Sequence, residues 1–461
     1  MRNNSTQKLA RIALAVAALV YCCVAFSNSA DAIQETATPN FLILFSDDAG
    51  YADFGFQPNV QSDMKDLTPN IDSIARDGVR MSNAYVCGAV CSPSRAGMLT
   101  GRYQQRFGHE TNIPPGYMKG GLSLDETFFV DRLRPLGYKT GLVGKWHLGY
   151  PDDYQPNRRG FDWFYGLLQG SRSYFPMAKL NPHRVFLENT TSTEEGGYTT
   201  DRIGDGAVRF IQENKAQPFF LLVSFTAPHG PLEPKEEDFA ALSSIQNPKR
   251  RKYAGLVKSM DDNVGKILKA LDDSGLAENT LVIFTNDNGG QTLTGANNAP
   301  LRGRKGDLFE GGIRVPMAIR WPGKVTPGTV IDDPVITLDF ATTMIGLAGA
   351  EADATWKLDG ADLTDRLTQK AGTLPERDLF WRTHGSSGPI AMRTGKWKLV
   401  VNRGKENPKP QLFDLESDIG EATDVSAKNP ELMKVMLERM NAWEAQLVDP
   451  LWGMKADESG D

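Results

Sequence analysis

Cysteine is scarce in this sequence, which has only four among 461 residues. Cys22 and Cys23 lie in an apolar N-terminal stretch, so the rest of the chain contains only Cys87 and Cys91. Two cysteines cannot supply the disulfide framework that stabilises small extracellular domains. They could form one bridge across a tight loop, but the residues around Cys91 indicate a different use.

An excess of basic residues is also absent. Lys and Arg number 51 against 57 Asp and Glu, which excludes the general positive surface of proteins that bind nucleic acid or anionic membranes. An anionic substrate would therefore need locally placed Arg, Lys and His. After the N-terminal segment, no apolar run is long enough to cross a bilayer. Hydrophobic residues make up 40% and charged residues 23%, which is typical of a globular protein rather than a disordered one.

Residues 1–32 have the pattern of a secretory signal peptide. Arg2, Lys8 and Arg11 give a positively charged leader. An apolar run from Ile12 to Phe26 follows, and Ala30-Asp31-Ala32 has the small-x-small form of a cleavage site. We expect a secreted or periplasmic protein with no stable membrane span once this segment is removed. The alternative is an uncleaved membrane anchor.

The body of the sequence alternates strand patterns with helix patterns. Apolar runs predict buried strands at 41–45, 138–143, 219–225 and 280–285, and helical patterns occur at 69–77, 199–213 and 253–271. This alternation predicts an α/β fold, with a large, mostly parallel sheet flanked by helices on both faces. We assign residues 33–365 to this α/β domain.

The pattern changes after residue 365. Four short strand candidates occur at 378–382, 390–394, 397–401 and 411–415, and a helical stretch runs from 430 to 447. Gly, Asn, Pro or Lys separate the strands. We predict a smaller C-terminal antiparallel sheet packed with a helix, in an α+β subdomain covering residues 366–461.

Polar residues follow three of the predicted buried strands. Asp47 and Asp48 end the first, His229 follows the third, and the pair Asp287 and Asn288 follows the fourth. Ligand groups gather beyond the carboxyl ends of the strands in open α/β sheets, so we expect these side chains in one pocket. Their carboxylate and amide oxygens suit Ca²⁺ or Mg²⁺ rather than Zn²⁺. Taken singly, each Asp-containing pair could instead form a turn.

The segment CSPSRAGMLTGR, which begins at Cys91, carries the most information. Ser92 suits a helix N-cap, Pro93 suits the first helical position, and Gly101 suits a helix end. A short helix is therefore predicted directly after Cys91. Its free N–H groups and positive dipole end would stabilise an anion at that side chain. Arg95 lies one turn into the helix and can reach the same place.

Cys91-Ser92-Pro93-Ser94-Arg95, followed by Thr100-Gly101, resembles the signature of the type I, formylglycine-dependent sulfatases, the arylsulfatase-like members of the alkaline phosphatase superfamily. The resemblance implies that a formylglycine-generating or equivalent maturase oxidises Cys91 to formylglycine (3-oxoalanine). One hydroxyl of the hydrated aldehyde would attack sulfur and displace the alcohol. The second would expel the sulfate by re-forming the aldehyde. A structural cysteine is the alternative.

The resemblance also selects the metal. It implies Ca²⁺ and a site made by the residues that end two of the strands together with the modified cysteine. These metal ligands are Asp47, Asp48, Cys91, Asp287 and Asn288.

Further matches to the same family give roles to four more side chains. Lys145 and His147 lie in GKWHLG, where the lysine would contact sulfate and the histidine would act as a base on the diol. His229, in APH, would bind a sulfate oxygen and protonate the leaving alcohol. Lys305, in GRKG before EGGIRVP, would be a further sulfate-binding lysine. With Cys91 and Arg95 they complete the predicted catalytic set; the alternatives are structural histidines and solvated lysines.

The sequence thus predicts a sulfatase, a sulfuric ester hydrolase that acts on the sulfate ester of a sulfated carbohydrate. One alternative is a phosphodiester or phosphonate ester hydrolase of the same superfamily. The other is a non-catalytic binder of sulfated polysaccharide, which would apply if Cys91 stays unmodified.

The sugar would be recognised by loops around the pocket. Candidate loops are 104–117, 170–189, 230–247 and 291–302. Candidate contacts with sugar or carboxylate are Arg172, Tyr174, His183 and Arg184, and candidates for closing the pocket from the C-terminal part are Trp381, Arg382 and His384. His109 is either a substrate contact or a structural residue.

Overall fold

The computed structural model describes residues 38–370, 372–404 and 408–453. The predicted signal peptide, residues 1–32, lies outside these ranges. The strands are β1 Asn40–Ser46, β2 Val79–Met81, β3 Ala84–Tyr85, β4 Lys139–Lys145, β5 Trp163–Leu167, β6 Leu187–Glu188, β7 Thr191–Ser192, β8 Phe219–Ser224, β9 Thr280–Asn286, β10 Met317–Arg320, β11 Thr329–Ile331, β12 Val335–Ile336, β13 Asp378–Arg382, β14 Ile390–Thr394, β15 Trp397–Val401 and β16 Gln411–Asp414. The α-helices are α1 Pro69–Arg76, α2 Cys91–Thr100, α3 Phe129–Leu133, α4 Thr199–Asn214, α5 Glu236–Ala241, α6 Pro248–Asp273, α7 Glu310–Ile313, α8 Asp339–Leu347, α9 Thr364–Leu367 and α10 Pro430–Glu444.

Ten strands form the large sheet, in the order β11-β2-β10-β9-β1-β8-β4-β5-β6-β7. Its centre is parallel, because β9, β1, β8, β4 and β5 all pair in that sense. The outer pairings β9–β10, β10–β2, β5–β6 and β6–β7 are antiparallel, so the sheet is mixed around a parallel centre. The parallel centre brings the carboxyl ends of five strands to one edge.

Helices cover both faces of the sheet, as predicted. Alternate residues of β1 enter different apolar cores: Phe41, Ile43 and Phe45 face one, and Leu42 and Leu44 face the other. Residues of α2, α3 and α8 pack in the first core, and residues of α1, α4 and α6 pack in the second. Every residue of β1, β8 and β9 is buried, which explains why these strands are continuous apolar runs without alternation.

The helix α2 begins two residues earlier than predicted. Cys91 is its first residue and Val90, with extended backbone angles, is the N-cap. The predicted N-cap Ser92 does not cap the helix because its hydroxyl contacts His109 and His147 instead. The predicted end is confirmed, since Gly101 has φ 68°, in the left-handed region that favours glycine.

The C-terminal antiparallel sheet, β13-β14-β15-β16, and the helix packed on it are also confirmed. The sheet is joined to the rest of the chain by buried charges. Lys398 of β15 lies 2.9 Å from a carboxylate oxygen of Glu310 in α7 and 2.9 Å from one of Glu421. Both sheets belong to one compact unit that begins at Pro39. Within the described residues, the helices are all too short or too polar to traverse a bilayer.

Candidate active site and metal centre

The carboxyl ends of β1 and β9 bring four predicted metal ligands together. The two strands are parallel neighbours, and their last residues are register partners. Asp47 and Asp48 therefore lie beside Asp287 and Asn288. The Asn288 Nδ2 donates to Asp48 Oδ1 at 2.8 Å, and the Asp48 backbone N–H donates to Asp287 Oδ1 at 3.3 Å. All four side chains are buried.

Cys91 lies in the same pocket. Its thiol donates to Asp47 Oδ1 at 3.5 Å and accepts from Lys305 Nζ at 3.1 Å. The side chain is 1% exposed. Burial, and after it the nearby Asp287, raises the pKa of the Cys91 thiol to about 12. The unmodified cysteine is therefore a thiol and not a thiolate near neutral pH.

Two lysines are ion-paired to the carboxylates of this pocket. Lys145, the last residue of β4, lies 2.6 Å from Asp47 Oδ2. Lys305 lies 2.7 Å from Asp48 Oδ1. Burial and Lys305 act in opposite directions on Asp48, and its pKa is held below the usual value. The pKa of Asp47 is raised by burial and by the charge of Asp287.

Arg95 supplies a third positive charge from the first turns of α2. Its Nη2 lies 2.8 Å from Asp287 Oδ2, and its Nη1 donates to the Lys145 backbone oxygen at 3.3 Å and to Ser224 Oγ. Burial raises the pKa of Asp287, but Arg95, Lys145 and Lys305 outweigh it and hold that pKa below its usual range. Asp287 is therefore ionised at neutral pH.

His147 follows β4 and is held in an unusual backbone conformation. Its φ is 67°, its N–H donates to the Leu168 oxygen at 3.0 Å, and its own oxygen accepts from Ser92 Oγ at 2.7 Å. The buried Nδ1 has no hydrogen-bond partner among the described residues. Burial, and after it the charge of Lys145, lowers the pKa of His147 well below its usual value. The imidazole is therefore neutral and able to accept a proton.

His229, which follows β8, lies beside the predicted metal ligand Asp48. Its Nδ1 donates to the Gly230 oxygen at 2.6 Å, and its Nε2 lies 3.6 Å from Asp48 Oδ2. The side chain is 25% exposed, so the imidazole lies where the buried pocket meets solvent. The Tyr174 hydroxyl donates a hydrogen bond to the His229 backbone oxygen at 2.8 Å, which fixes this turn.

The ligand atoms fit a hard cation. One atom from each of four side chains lies within 4.8 Å of the other three: Asp47, Asp48, Cys91 and His229. Asp287 adds carboxylate oxygens beside them. Within the described residues, the buried Asn288 Oδ1 accepts no hydrogen bond, which is unusual for a buried amide oxygen and is expected of a metal ligand.

Comparison with known proteins identifies the chain. The family model described as Sulfatase matches residues 39–350. This chain belongs to the sulfatase family. A second model, described as N-sulphoglucosamine sulphohydrolase, C-terminal, matches residues 304–446. The chain is therefore a sulfuric ester hydrolase.

Individual relatives of this sulfatase cover most of its length. Mouse (Mus musculus) arylsulfatase J is 30% identical, over 90% of this chain and 77% of the relative. Human (Homo sapiens) N-acetylgalactosamine-6-sulfatase is 33% identical, over 74% of this chain and 68% of the relative. Among solved structures, that of Ps i-CgsB in complex with k-i-k-neocarrahexaose is 36% identical, with a TM-score of 0.85, and covers 91% of this chain and 96% of the other.

Sequence reasoning missed Ser224, and it did not predict the contact between Ser92 and His109 that supports the site of this sulfatase. Ser224, which accepts from Arg95, is the last residue of β8 and could have been found as a polar end to a buried strand. Ser92 and His109 gave no such signal, because their 2.6 Å contact depends on the tertiary fold. His109 is fully buried and packs edge-on against Trp452 at 4.7 Å, which is a structural role.

Two suggested sugar contacts in the 170–189 loop of the sulfatase are buried and bonded to other parts of the protein. Arg172 is buried and ion-paired to Glu195 at 2.7 Å. Tyr174 is buried under the His229 turn. The sequence does not tell whether such long polar side chains face solvent or the protein interior, and in the structure both face the interior. His183 and Arg184 of the same loop are only partly buried.

Of the three residues suggested to close the pocket, two are buried and one is exposed. Trp381 is fully buried, with its Nε1 donating to the Val86 oxygen at 2.7 Å. Arg382 is buried and donates to Glu110 at 3.1 Å through Nε. Neither can close a pocket over a substrate, so the suggestion is wrong for both. His384 is exposed.

Gly170 of the sulfatase packs closely against His147: a Cβ at residue 170 would lie 2.5 Å from Cε1 of His147, so the ring would have to move. We expect Gly170→Ala to displace the imidazole and lower kcat about 10- to 100-fold, since ångström-scale misplacement of a catalytic group costs that much. Gly196→Ala is the matched control, because a Cβ there meets nothing within 4 Å. Steady-state kinetics and melting temperatures decide the matter: equal kcat values in the two folded variants would contradict a catalytic position for His147.

Proposed function

We propose that this sulfatase removes a sulfate ester from a sulfated carbohydrate, using formylglycine made from Cys91 and Ca²⁺ held by Asp47, Asp48, Asp287 and Asn288. The observation that carries the proposal is the position of Cys91. Its sulfur lies 3.5 Å from Asp47 Oδ1, at the edge where these ligands meet. An oxygen bound to the same Cβ would lie against the metal ligands and the positive charges together.

The state of the thiol supports the need for modification. With a pKa near 12, Cys91 is a poor nucleophile at neutral pH. Formylglycine, when hydrated, supplies two hydroxyls, one to attack sulfur and one to expel the sulfate as the aldehyde re-forms. A maturase must therefore act before the buried site is complete.

Charge neutralisation comes from named side chains. Sulfate transfer offers little covalent work for a protein, so positioning and electrostatics dominate. Lys145, Lys305 and Arg95 converge on Cys91 and the carboxylates, and we assign the two lysines to the sulfate oxygens. Ca²⁺, when bound, would polarise a sulfate oxygen and acidify the attacking hydroxyl.

The two histidines are assigned to the two proton transfers. His229 presents Nε2 at the exposed side of the pocket, where the alcohol leaves, and supplies the proton that the leaving oxygen takes up. His147 is neutral, and its Nδ1 has no partner in the part of the chain that the structure describes; it accepts the proton of the second hydroxyl as sulfate departs. All proposed catalytic residues fall within 33–365, which we therefore assign as the catalytic domain.

The carbohydrate substrate rests on the relatives. Ps i-CgsB was solved with k-i-k-neocarrahexaose, an oligosaccharide, and the human relative is named for N-acetylgalactosamine 6-sulfate hydrolysis. A sulfated saccharide of this kind is met outside the cytoplasm, in agreement with the signal-peptide pattern of residues 1–32. We therefore also propose that the protein is secreted or periplasmic.

Parallel assays test the proposal. Protein made with a formylglycine-generating maturase, in Ca²⁺ buffer, is given a sulfate ester and a phosphodiester of the same phenol, and a panel of sulfated oligosaccharides that includes k-i-k-neocarrahexaose. We expect sulfate release from at least one saccharide and from the aryl sulfate. Much faster turnover of the phosphodiester would overturn the assignment.

A further inference from the structure

Arg184 carries a positive charge that no carboxylate meets within the described part of the chain. With the Gln169 amide oriented to satisfy both groups, its side-chain oxygen accepts from Arg184 Nη2 at 3.0 Å and from Nε at 3.1 Å. The neighbouring Arg172 differs, since it is buried and ion-paired to Glu195 at 2.7 Å. Arg184 is partly exposed, so its charge is held in place but left available.

The chain places this guanidinium beside the sulfate pocket. Gln169 and Gly170 follow β5, at the same edge of the sheet as the catalytic groups. The Gln169 N–H donates to the His183 oxygen at 2.8 Å, which ties the Arg184 segment to this edge. Gly170 lies directly against the His147 ring. Arg184 is therefore bonded to Gln169, whose neighbour Gly170 contacts the His147 ring in the catalytic pocket.

A second polar group, the Tyr150 hydroxyl, lies near the Arg184 segment. Tyr150 packs its ring 4.7 Å from the ring of His183, and its side chain is only 2% exposed. Its OH has no hydrogen-bond partner among the described residues. Burial raises the pKa of Tyr150 to about 12, and Arg184 is close enough to act against that rise. The hydroxyl is thus a protonated donor on a ring that packs against His183, the residue before Arg184.

We propose that Arg184, with Tyr150, forms a subsite for a second anionic group on the saccharide whose sulfate ester is hydrolysed. This rests on the proposed function and narrows its substrate class to saccharides that carry a further sulfate or carboxylate near the scissile ester. A guanidinium fork matches the geometry of either anion, and the phenol adds one more donor. Gln169 keeps the fork oriented without neutralising it.

Binding measurements test this without requiring turnover. Protein made without a maturase, which keeps the Cys91 thiol, is titrated in Ca²⁺ buffer by calorimetry. The probes are N-acetylgalactosamine 6-sulfate and 4,6-disulfate, and k-i-k-neocarrahexaose with and without chemical desulfation. We expect the more highly sulfated member of at least one pair to bind more tightly, and Arg184→Gln to weaken its binding about 10- to 100-fold. The less sulfated member should lose little.

Two further variants separate recognition from folding. Tyr150→Phe removes an unpartnered buried hydroxyl, so it should not lower the melting temperature, and yet it should weaken binding of the more sulfated probe. Arg209→Gln removes a positive charge of α4 that is already paired with Glu188 of β6, and it should leave binding unchanged.

The inference is overturned if the wild type does not discriminate within either pair, or if Arg184→Gln weakens both members equally. A failure of the proposed function is a different result. It would appear as maturase-treated protein that releases no sulfate, whatever its binding preferences.

Discussion

Cys91→Ala is expected to abolish sulfate-ester hydrolysis, with kcat at least about 10,000-fold lower than in the wild type, because it removes the nucleophile itself. The side chain lies where the carboxylates, Lys305 and the start of α2 meet. Substrate binding should persist, since the lysines, the arginine and the histidines remain. Release of sulfate by maturase-treated enzyme measures the loss.

Cys87→Ala is the matched control. Cys87 is also fully buried, but its sulfur lies near the Ser94 oxygen at 3.5 Å and Thr337 Oγ1 at 3.7 Å, away from the metal ligands. Losing a sulfur from the core should cost about 1 kcal/mol of stability and leave kcat near that of the wild type. Peptide mass analysis adds an independent readout. An unmodified thiol at Cys91 in fully active protein would contradict the proposed nucleophile.

The parallel centre of the fold and the position of its site could be predicted because both follow from local patterns. β1, β8 and β9 are buried on both faces and so appear as unbroken apolar runs. Polar residues at the ends of such runs must converge, because parallel strands end at one edge. Asp47, Asp48, Asp287 and Asn288 meet there as predicted. The antiparallel outer strands, such as the two-residue β6 and β7, are too short to leave a pattern.

The rest of the site depends on contacts between distant parts of the chain. Serine is a common N-cap residue, but in the fold the Ser92 hydroxyl bonds to two other groups, the His109 ring and the His147 oxygen. The sequence gives no reason to treat Arg172 and Arg184 differently. In the described part of the chain, however, Arg172 pairs with the Glu195 carboxylate, whereas Arg184 bonds to the Gln169 amide and to no carboxylate. Neither difference is visible in local periodicity. The second difference bears on the proposed subsite, because an unpaired guanidinium can bind an anion without first breaking an ion pair.

Removal of divalent cations by a chelator is expected to lower kcat/KM about 1,000-fold, and Ca²⁺ should restore it better than Zn²⁺. The reason lies in the partners of the two lysines that we assign to sulfate. Lys145 and Lys305 are paired with Asp47 and Asp48, the same carboxylates that are assigned to the metal. A divalent ion competes for those carboxylates and leaves the lysines free to neutralise sulfate. Activity after chelation and add-back of each metal measures this.

Thermal denaturation separates metal binding from catalysis. Ca²⁺ should raise the melting temperature of the wild type, since it binds the folded state and gives the Asn288 oxygen a partner. Asp48→Asn should lose this rise, because it removes a ligand charge. Asp261→Asn, another buried carboxylate, should keep it: Asp261 accepts from the Ile71 N–H at 2.8 Å at the start of α1, and its loss weakens the fold without touching the pocket. A Ca²⁺-dependent rise that survives in Asp48→Asn would place the ion elsewhere, and the lysines would then lack the competitor that frees them for sulfate.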